Sequence, residues 1–324
     1  MITKNKLASV QIVLPGDLTN LFLLHTMDSG DAAVLPGHDV NGLFFLKNTN
    51  TFPGIMDKAN EDVFSVRTYK QGIEKTTNIF GTLFPDLSYE KALRIFQGWI
   101  DAKTSNQVCI VNVHSLINGL SDKGFQTICN NSLSTMDGVP LVWYANLVHQ
   151  ASIKSKVCGP DLMLECLDKG RGKGWKHFFV GSTPAVLKDL VVEMESRFPG
   201  VEIAGWNSPP FRPLSDREDQ DLVDQINAAK PDFLWVGLGA PKQEKWIADH
   251  LHRIHAPVQL GVGAAFSFHS GHVSRAPHWM RKRGLEWAYR MLKERRLIRR
   301  YLSSNPVFLA LFLKDLIKIR ILKL

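Results

Sequence analysis

The sequence predicts an α/β fold of the Rossmann-like type, with a mostly parallel sheet that is covered by helices on both faces. From about residue 87 to residue 273, strand-like apolar runs alternate with helix-like patterns, as in parallel α/β units. Three predicted strands run directly into glycine turns, "FVGST" at 179–183, "VGLGAPKQ" at 236–243 and "GVGAAFSF" at 261–268. Ligands of open α/β sheets bind outside the carboxyl ends of the strands, so these turns together predict one cleft.

The individual elements follow from periodicity and from capping residues. Strands are predicted at 108–113, 177–180, 201–204, 233–236 and 258–262, and helices at 89–102 and 140–149. Ser182 or Thr183 can cap a helix that starts at Pro184, Ser215 can open another, and a further helix follows Pro241. The predicted organisation is an N-terminal extension of unknown role (1–80), the α/β domain (81–274) and a basic C-terminal appendage (275–324).

Composition restricts the class of protein. A chain of 324 residues with 44% hydrophobic residues can bury one large core or two modest cores. Its four cysteines contain no CxxC pair, which is typical of free thiols in a reducing compartment. No apolar run is long enough to span a membrane, and no secretory leader is recognisable. We expect neither a secreted nor an integral membrane protein.

Positive charge is concentrated near the C-terminus. Residues 275–300 contain ten Lys or Arg against two Glu, a local charge of +8. Such a block is typical of an anionic partner, which can be a membrane surface, a diphosphate or a nucleic acid. The following segment, "NPVFLALFLKDLIKIRILKL", fits a helix or a strand equally well. We predict shallow membrane contact for it, with burial in a homo-oligomer interface as the alternative.

The glycine turn after residue 236 matches neither known phosphate fingerprint. After Gly237 and Gly239, the dinucleotide pattern requires Gly at a position that Lys242 occupies. No Gly-Lys-Ser or Gly-Lys-Thr of a P-loop follows either. A nicotinamide-dependent dehydrogenase is therefore disfavoured, and a simple structural turn remains the alternative for each glycine motif.

Metal sites are also disfavoured. The Asp-x-Asp pattern at 219–221 lies in a charged helix, where a solvated helix face is the favoured interpretation. The histidines between 250 and 255 do not share one helix face, and His269 and His272 lack an evident third ligand. We predict no metal and no other cofactor.

A resemblance to a known family rests on seven motifs. In order along the chain they are "MDGVPLVW" (136–143), "GPDLM" (159–163), "SPPF" (208–211), "GLGAPKQEKW" (237–246), "GVGAAFSF" (261–268), "RAPHWM" (275–280) and "GLEWAYRMLKERRLIRRYL" (284–302). Residues 105–308 resemble the WecG/TagA/CpsF glycosyltransferases, glycosyltransferase family 26. The resemblance implies transfer of a sugar from a UDP-sugar to a sugar on a polyprenyl diphosphate, with inversion of the anomeric centre and without a metal.

Asp137 is the candidate catalytic base. Inverting transfer requires one general base, which removes the proton of the attacking hydroxyl, and charge stabilisation for the leaving UDP. Asp137 precedes the predicted helix at 140–149, so the alternative is a helix N-cap. The resemblance places the family's proposed base at this residue.

The substrate-binding residues are implied by the same resemblance. Asn112 matches a strand-end Asn that holds sugar or acceptor, the amide of Gln243 can bond sugar hydroxyls, and Lys156 stands where an Arg is usual. Two glycines, Gly237 and Gly239, belong to the sugar-nucleotide cleft. Three arginines match the family's diphosphate ligands when one residue is taken as missing after Glu294; they are Arg290, Arg296 and Arg299.

These observations predict an inverting, metal-independent, UDP-sugar-dependent hexosyltransferase of bacterial surface polysaccharide synthesis. We expect it to act peripherally at the cytoplasmic face of the cell membrane, with anionic lipid as a partner. The resemblance implies N-acetylmannosamine as the leading donor sugar, with UDP-glucose or UDP-glucuronate as the alternative donor. A basic nucleic-acid-binding protein is an alternative of a different class, but no aromatic-rich binding motif accompanies the charge, so no nucleic acid partner is expected.

Overall fold

The computed structural model describes residues 8–12, 22–26, 32–35 and 75–322. The chain divides into two compact units, residues 1–63 and residues 64–324. In the first unit, strands β1 (Ala8–Ile12), β2 (Phe22–Thr26) and β3 (Ala32–Leu35) form an antiparallel sheet in that order.

The second unit contains the parallel sheet that the sequence predicts. Its strands comprise a hairpin followed by six sheet strands: β4 (Thr76–Ile79), β5 (Thr82–Pro85), β6 (Asn106–Val111), β7 (Leu133–Met136), β8 (Lys176–Gly181), β9 (Glu202–Asn207), β10 (Phe233–Gly237) and β11 (Val258–Gly261). The hairpin strands pair with each other. The six sheet strands are all parallel, in the order β7-β6-β11-β10-β8-β9.

Helices connect these strands and follow the last one. They are α1 (Tyr89–Ala102), α2 (Val113–Ser121), α3 (Lys123–Asn131), α4 (Val139–His149), α5 (Gly159–Gly170), α6 (Pro184–Arg197), α7 (Asp216–Ala229), α8 (Lys242–His250), α9 (Ala265–His269), α10 (His278–Lys282), α11 (Glu286–Lys293) and α12 (Ile298–Leu322). Predicted caps are confirmed at two of them: the hydroxyl of Thr183 accepts from the N–H of Val186, and Ser215 forms a capping box with Glu218.

Helices cover both faces because successive side chains of each strand point in opposite directions. In β8, Phe178 and Val180 pack with α7 and α8, whereas Phe179 packs with α1, α5 and α6 on the other face. In β6, Cys109 and Val111 pack with α2, α3 and α4. Near-continuous apolar strands of this kind are typical of a sheet that is buried on both sides.

Helices α2, α3 and α5 and the edge strand β7 are not among the elements that the sequence predicts. Strand β7 is short and reads "LSTM", and its polar residues Ser134 and Thr135 are fully buried. Their hydroxyls donate to the carbonyls of Cys129 and Val157, at 2.8 and 2.9 Å. These hydrogen bonds compensate for burial, so residues that resemble a loop in the sequence occupy a strand.

The C-terminal segment is one helix, which removes the ambiguity between helix and strand. Ser304, Phe308 and Phe312 are buried at intervals of four residues along α12, as one helix face requires. Phe308 and Phe312 join the core formed by α2, α3 and α4, so α12 is packed into the fold. Within residues 75–322 no helix is long and apolar enough to cross a membrane.

Candidate active site

One cavity of about 670 Å³ lies at the carboxyl ends of the parallel strands. The turns after β8, β10 and β11 all line it, through Ser182, Gly239 and Gly263. Asn112 follows β6 and Asp137 follows β7, and both line the same cavity. Five adjacent strands therefore deliver their ends to a single site, where open α/β sheets bind ligands.

The two predicted glycines after β10 have different reasons to be glycine. Gly239 adopts φ +82°, and a Cβ there would meet no atom within 4 Å, so this turn requires glycine for its backbone conformation. A Cβ on Gly237 would lie 2.6 Å from the ring of Phe266. Gly237 is therefore a packing requirement, although it too borders the cavity.

Gln243 fastens two of these turns together. Its side-chain oxygen accepts from the N–H groups of Gly239 and Gly263, each at 3.0 Å. Its Nε2 donates to Glu244 at 2.8 Å, and the residue is only 3% exposed. The prediction assigned this amide to sugar hydroxyls, but both acceptor contacts are taken by the protein. Gln243 thus shapes the cavity from behind and retains one N–H for other contacts.

Asp137 lines the cavity and does not cap a helix. The N-cap of α4 is Gly138, which has φ +149°, and the cap has no side-chain hydrogen bond, so the alternative N-cap role for Asp137 is wrong. Its carboxylate makes no hydrogen bond to the described residues, and its backbone N–H donates to the carbonyl of Val111 at 2.8 Å. Withdrawal from water raises the pKa of Asp137 to about 6, against the attraction of Lys156.

An ion-pair cluster beside Asp137 connects the core to the C-terminal segment. Lys156 lies 3.8 Å from Glu286, and Arg275 lies 3.3 Å from the same residue while also binding Asp161. Burial alone would raise the pKa of Asp161, but the hydrogen bonds from Arg275 hold it at about 2. Arg275 lines the cavity, whereas the sequence pattern indicates only that it belongs to the basic block.

A glycine holds the C-terminal segment close to this cluster. Gly284, the first residue of the Gly-Leu-Glu-Trp motif, adopts φ +73° and approaches Val139 at the start of α4. A Cβ at this position would lie 2.9 Å from the Cβ of Val139. The close approach brings Glu286 and Trp287 to the cavity wall.

Two of the three predicted arginines meet at one carboxylate. Arg290 and Arg296 both bind Glu294, at 2.9 and 2.6 Å, and both line the cavity. Arg290 also places its guanidinium 5.2 Å from the ring centre of Phe268. Arg299 is exposed and is not among the residues that line the cavity.

Arg300, which was not predicted as a site residue, lines the cavity in place of the predicted Arg299. It lines the cavity, and the nearest acceptor to its guanidinium is Asn112 Oδ1 at 3.5 Å. Burial lowers the pKa of Arg300, and the charge of nearby Arg290 lowers it further. One residue corresponds to about 100° of rotation on a helix, so the phase of α12 decides which arginine faces inward.

Asn112 has a double role at the cavity. Its side-chain oxygen accepts from the N–H of Ser115 at 3.1 Å, which caps α2. Its Nδ2 has no hydrogen bond to the residues that the structure describes and remains available as a donor.

The Asp-x-Asp pattern has a structural role outside the cavity. Asp219 lies 2.8 Å from His250 Nε2 and 2.6 Å from Arg253, so it joins α7 to the end of α8. Its side chain is 21% exposed, so Asp219 is partly withdrawn from the solvated helix face that the sequence predicts. Asp221 is exposed.

Comparison with known proteins identifies relatives for most of the described unit. A family model described as the glycosyl transferase WecG/TagA/CpsF family matches residues 77–321. One relative, from Bacillus subtilis (strain 168), is 31% identical over 196 residues, which cover 60% of this chain and 74% of the relative. Another, from Staphylococcus aureus (strain MW2), is 28% identical over 235 residues, 72% of this chain and 90% of the relative. Both are named N-acetylglucosaminyldiphosphoundecaprenol N-acetyl-beta-D-mannosaminyltransferase.

Proposed function

Because the chain belongs to the WecG/TagA/CpsF family of glycosyltransferases, we propose that it transfers N-acetylmannosamine from a UDP-sugar to N-acetylglucosamine on a polyprenyl diphosphate. The product would be a lipid-linked precursor of a bacterial surface polysaccharide. The observation that carries the proposal is Asp137, a carboxylate that makes no side-chain hydrogen bond to the described residues and borders a cation-lined cavity.

Asp137 acts as the general base. Its carboxylate removes the proton from the acceptor hydroxyl while the hydroxyl oxygen attacks the anomeric carbon of the donor. The bond from that carbon to the UDP oxygen breaks on the opposite side, so the configuration is inverted. A pKa of about 6 leaves Asp137 mostly ionised near neutral pH and still basic enough to accept a proton.

Protein cations stabilise the leaving diphosphate. Arg290 and Arg296 border the cavity, and Lys156 adds a third positive charge near Asp137. Gln243 holds the glycine turns in place by accepting from the N–H groups of Gly239 and Gly263, so the positive charge at the diphosphate comes from the cations. Preorganised cations of this kind stabilise the negative charge that develops in the transition state, so the proposal requires no metal.

The C-terminal helix supports peripheral association with the cytoplasmic face of the membrane. Leu302, Ile317 and Ile321 are exposed along α12, and Lys314 and Lys318 lie on the same helix. An apolar stripe with flanking cations suits an anionic lipid surface, where each Lys or Arg contributes about 1 kcal/mol.

Product analysis tests the proposed function. The protein is incubated with UDP-N-acetylmannosamine, UDP-N-acetylglucosamine, UDP-glucose and UDP-glucuronate, each with an N-acetylglucosaminyl polyprenyl diphosphate, and products are detected by mass. Addition of one N-acetylhexosamine from UDP-N-acetylmannosamine alone is expected. Transfer of glucose or glucuronate instead would replace the donor assignment, and absence of product from every donor would contradict the proposed function.

A further inference from the structure

The cavity has an apolar arm that the proposed transfer chemistry does not use. Beyond the polar residues at the strand ends, the lining continues along α12 through Phe308, Leu309 and Phe312, and Trp143 of α4 also borders it. Arg300 and Phe312 are twelve residues apart on this helix, which corresponds to a length of about 18 Å. The UDP-sugar has no long apolar group that would occupy such an arm.

The inner wall of the arm packs against helix α4. The ring of Tyr144 on α4 lies 6.1 Å from that of Phe308 and 5.2 Å from that of Phe312. The hydroxyl of Tyr144 donates to Asp315 at 2.5 Å, which ties the two helices together. Trp143 and Leu309, in contrast, remain 50% and 54% exposed and form the rim of the arm. The arm is therefore an apolar channel with one fixed wall and one open edge.

A cation without a carboxylate partner lies where the arm meets the polar part of the cavity. Arg300 forms no ion pair with the described residues, whereas Arg290 and Arg296 share Glu294. The Nε of Arg300 and the Nδ1 of His114 are buried, and neither has a hydrogen-bond partner among the described residues. Both side chains line the cavity at the N-terminal end of α2. Unpaired donors of this kind favour an anionic ligand.

We propose that the arm binds the first isoprene units of the polyprenyl chain of the acceptor, and that Arg300 binds the acceptor diphosphate at the inner end. The acceptor carries a diphosphate next to an apolar chain, and α12 presents Arg300 followed by the apolar residues Phe308, Leu309 and Phe312 in the same order. Asp137 lies on the same side of the sheet, at the end of the edge strand β7, where it meets the acceptor sugar. The donor then occupies the glycine turns of β8, β10 and β11. The inference rests on the proposed function for the identity of the acceptor.

Equilibrium binding tests the arm without any turnover. Farnesyl diphosphate, below its micelle concentration, and inorganic diphosphate are titrated into the full-length protein by calorimetry. Each buried methylene contributes up to roughly four-fold to affinity. Even with incomplete burial, we expect farnesyl diphosphate to bind at least roughly 30-fold more tightly than inorganic diphosphate.

Matched variants separate the two parts of the site. Trp143→Ala and Leu309→Ser should each remove roughly five-fold or more of the preference for farnesyl diphosphate. Leu313→Ser should retain the wild-type preference, because Leu313 is 49% exposed on the same helix but does not line the cavity. Arg300→Gln should weaken both ligands by roughly ten-fold or more, Arg300→Lys should restore part of the loss, and Arg299→Gln should change neither.

Three results would overturn the inference. They are equal affinities of the wild type for the two ligands, an equal loss in Leu313→Ser and Leu309→Ser, and unchanged diphosphate binding in an Arg300→Gln protein that retains the wild-type circular dichroism. Failure of the proposed function is a separate outcome, since it would appear as absence of transfer products while these binding differences remain. Loss of the binding differences with intact transfer would reject the arm alone.

Discussion

Replacement of Asp137 by Asn should separate activity from stability at one residue. The amide keeps the size of the carboxylate but cannot accept the proton of the acceptor hydroxyl. We expect turnover to fall by roughly 10² to 10⁴, the usual contribution of a general base. UDP binding should remain, because the cations and glycine turns that hold the diphosphate are unchanged.

The same substitution should stabilise the fold above pH 6. Burial raises the pKa of Asp137 from 3.8 to about 6, so this carboxyl group costs folding free energy as the pH rises above 3.8, and the cost is complete once the pH exceeds both values. At roughly 1.4 kcal/mol for each tenfold change in the ionisation constant, the cost is at most about 3 kcal/mol at pH 7.5. Because Asp137 retains some solvent contact, we expect a gain of about 1 to 3 kcal/mol for Asp137→Asn, falling to about half of that at pH 5.

Two measurements check this prediction. Turnover is measured with saturating UDP-sugar, and the free energy of unfolding is measured by urea titration at pH 5 and pH 7.5. Asp221→Asn, on an exposed part of α7, is the control and should change neither quantity. Turnover within ten-fold of the wild type would remove Asp137 from the role of base. A loss of stability at pH 7.5 would refute the argument from burial.

Three further predictions concern the surroundings of this base. Lys156→Gln should raise the pKa of the acidic limb of kcat/KM, because the positive charge of Lys156 favours ionisation of Asp137. Glu286→Gln should lower that pKa, because the negative charge of Glu286 opposes the same ionisation. Profiles of kcat/KM against pH that move in the same direction for both variants would contradict this assignment. Gln243→Ala leaves the N–H groups of Gly239 and Gly263 without their acceptor. We therefore expect the free energy of unfolding, measured by urea titration, to fall by about 1 to 3 kcal/mol and kcat to decrease. An unchanged unfolding midpoint would refute the role of Gln243 in holding the two turns together. Turnover should survive excess EDTA because arginines supply the positive charge, and activity that is lost to EDTA and restored by Mg²⁺ or Mn²⁺ would overturn the metal-free mechanism.

Local patterns in the sequence were sufficient for the architecture and for the location of the site. Strand and helix periodicities are properties of neighbouring residues, and the caps at Thr183 and Ser215 act within one helical turn. A parallel sheet places every carboxyl end on one edge, so the glycine turns predicted a common cleft before any distance was known. The family motifs added Asp137, whose position after β7 borders that cleft.

Other features depended on contacts between residues far apart in the chain. Strand β7 was missed in part because the buried hydroxyl of Thr135 bonds to the carbonyl of Val157, 22 residues further along the chain, which the local pattern does not reveal. The role of Gln243 requires two turns, after β10 and β11, to lie within reach of one oxygen. No pattern of adjacent residues encodes such a meeting.

The sequence by itself determined the parallel α/β architecture, the cleft at the strand ends and the abundance of cations after residue 274. Tertiary structure decided which of those cations enter the cavity. Arg299 and Arg300 are chemically identical neighbours, and the packing of α12 against the core, through Phe308 and Phe312, sets the helix rotation that turns Arg300 inward. Helix phase is a property of packing between elements, because a helix alone has no preferred rotation about its own axis.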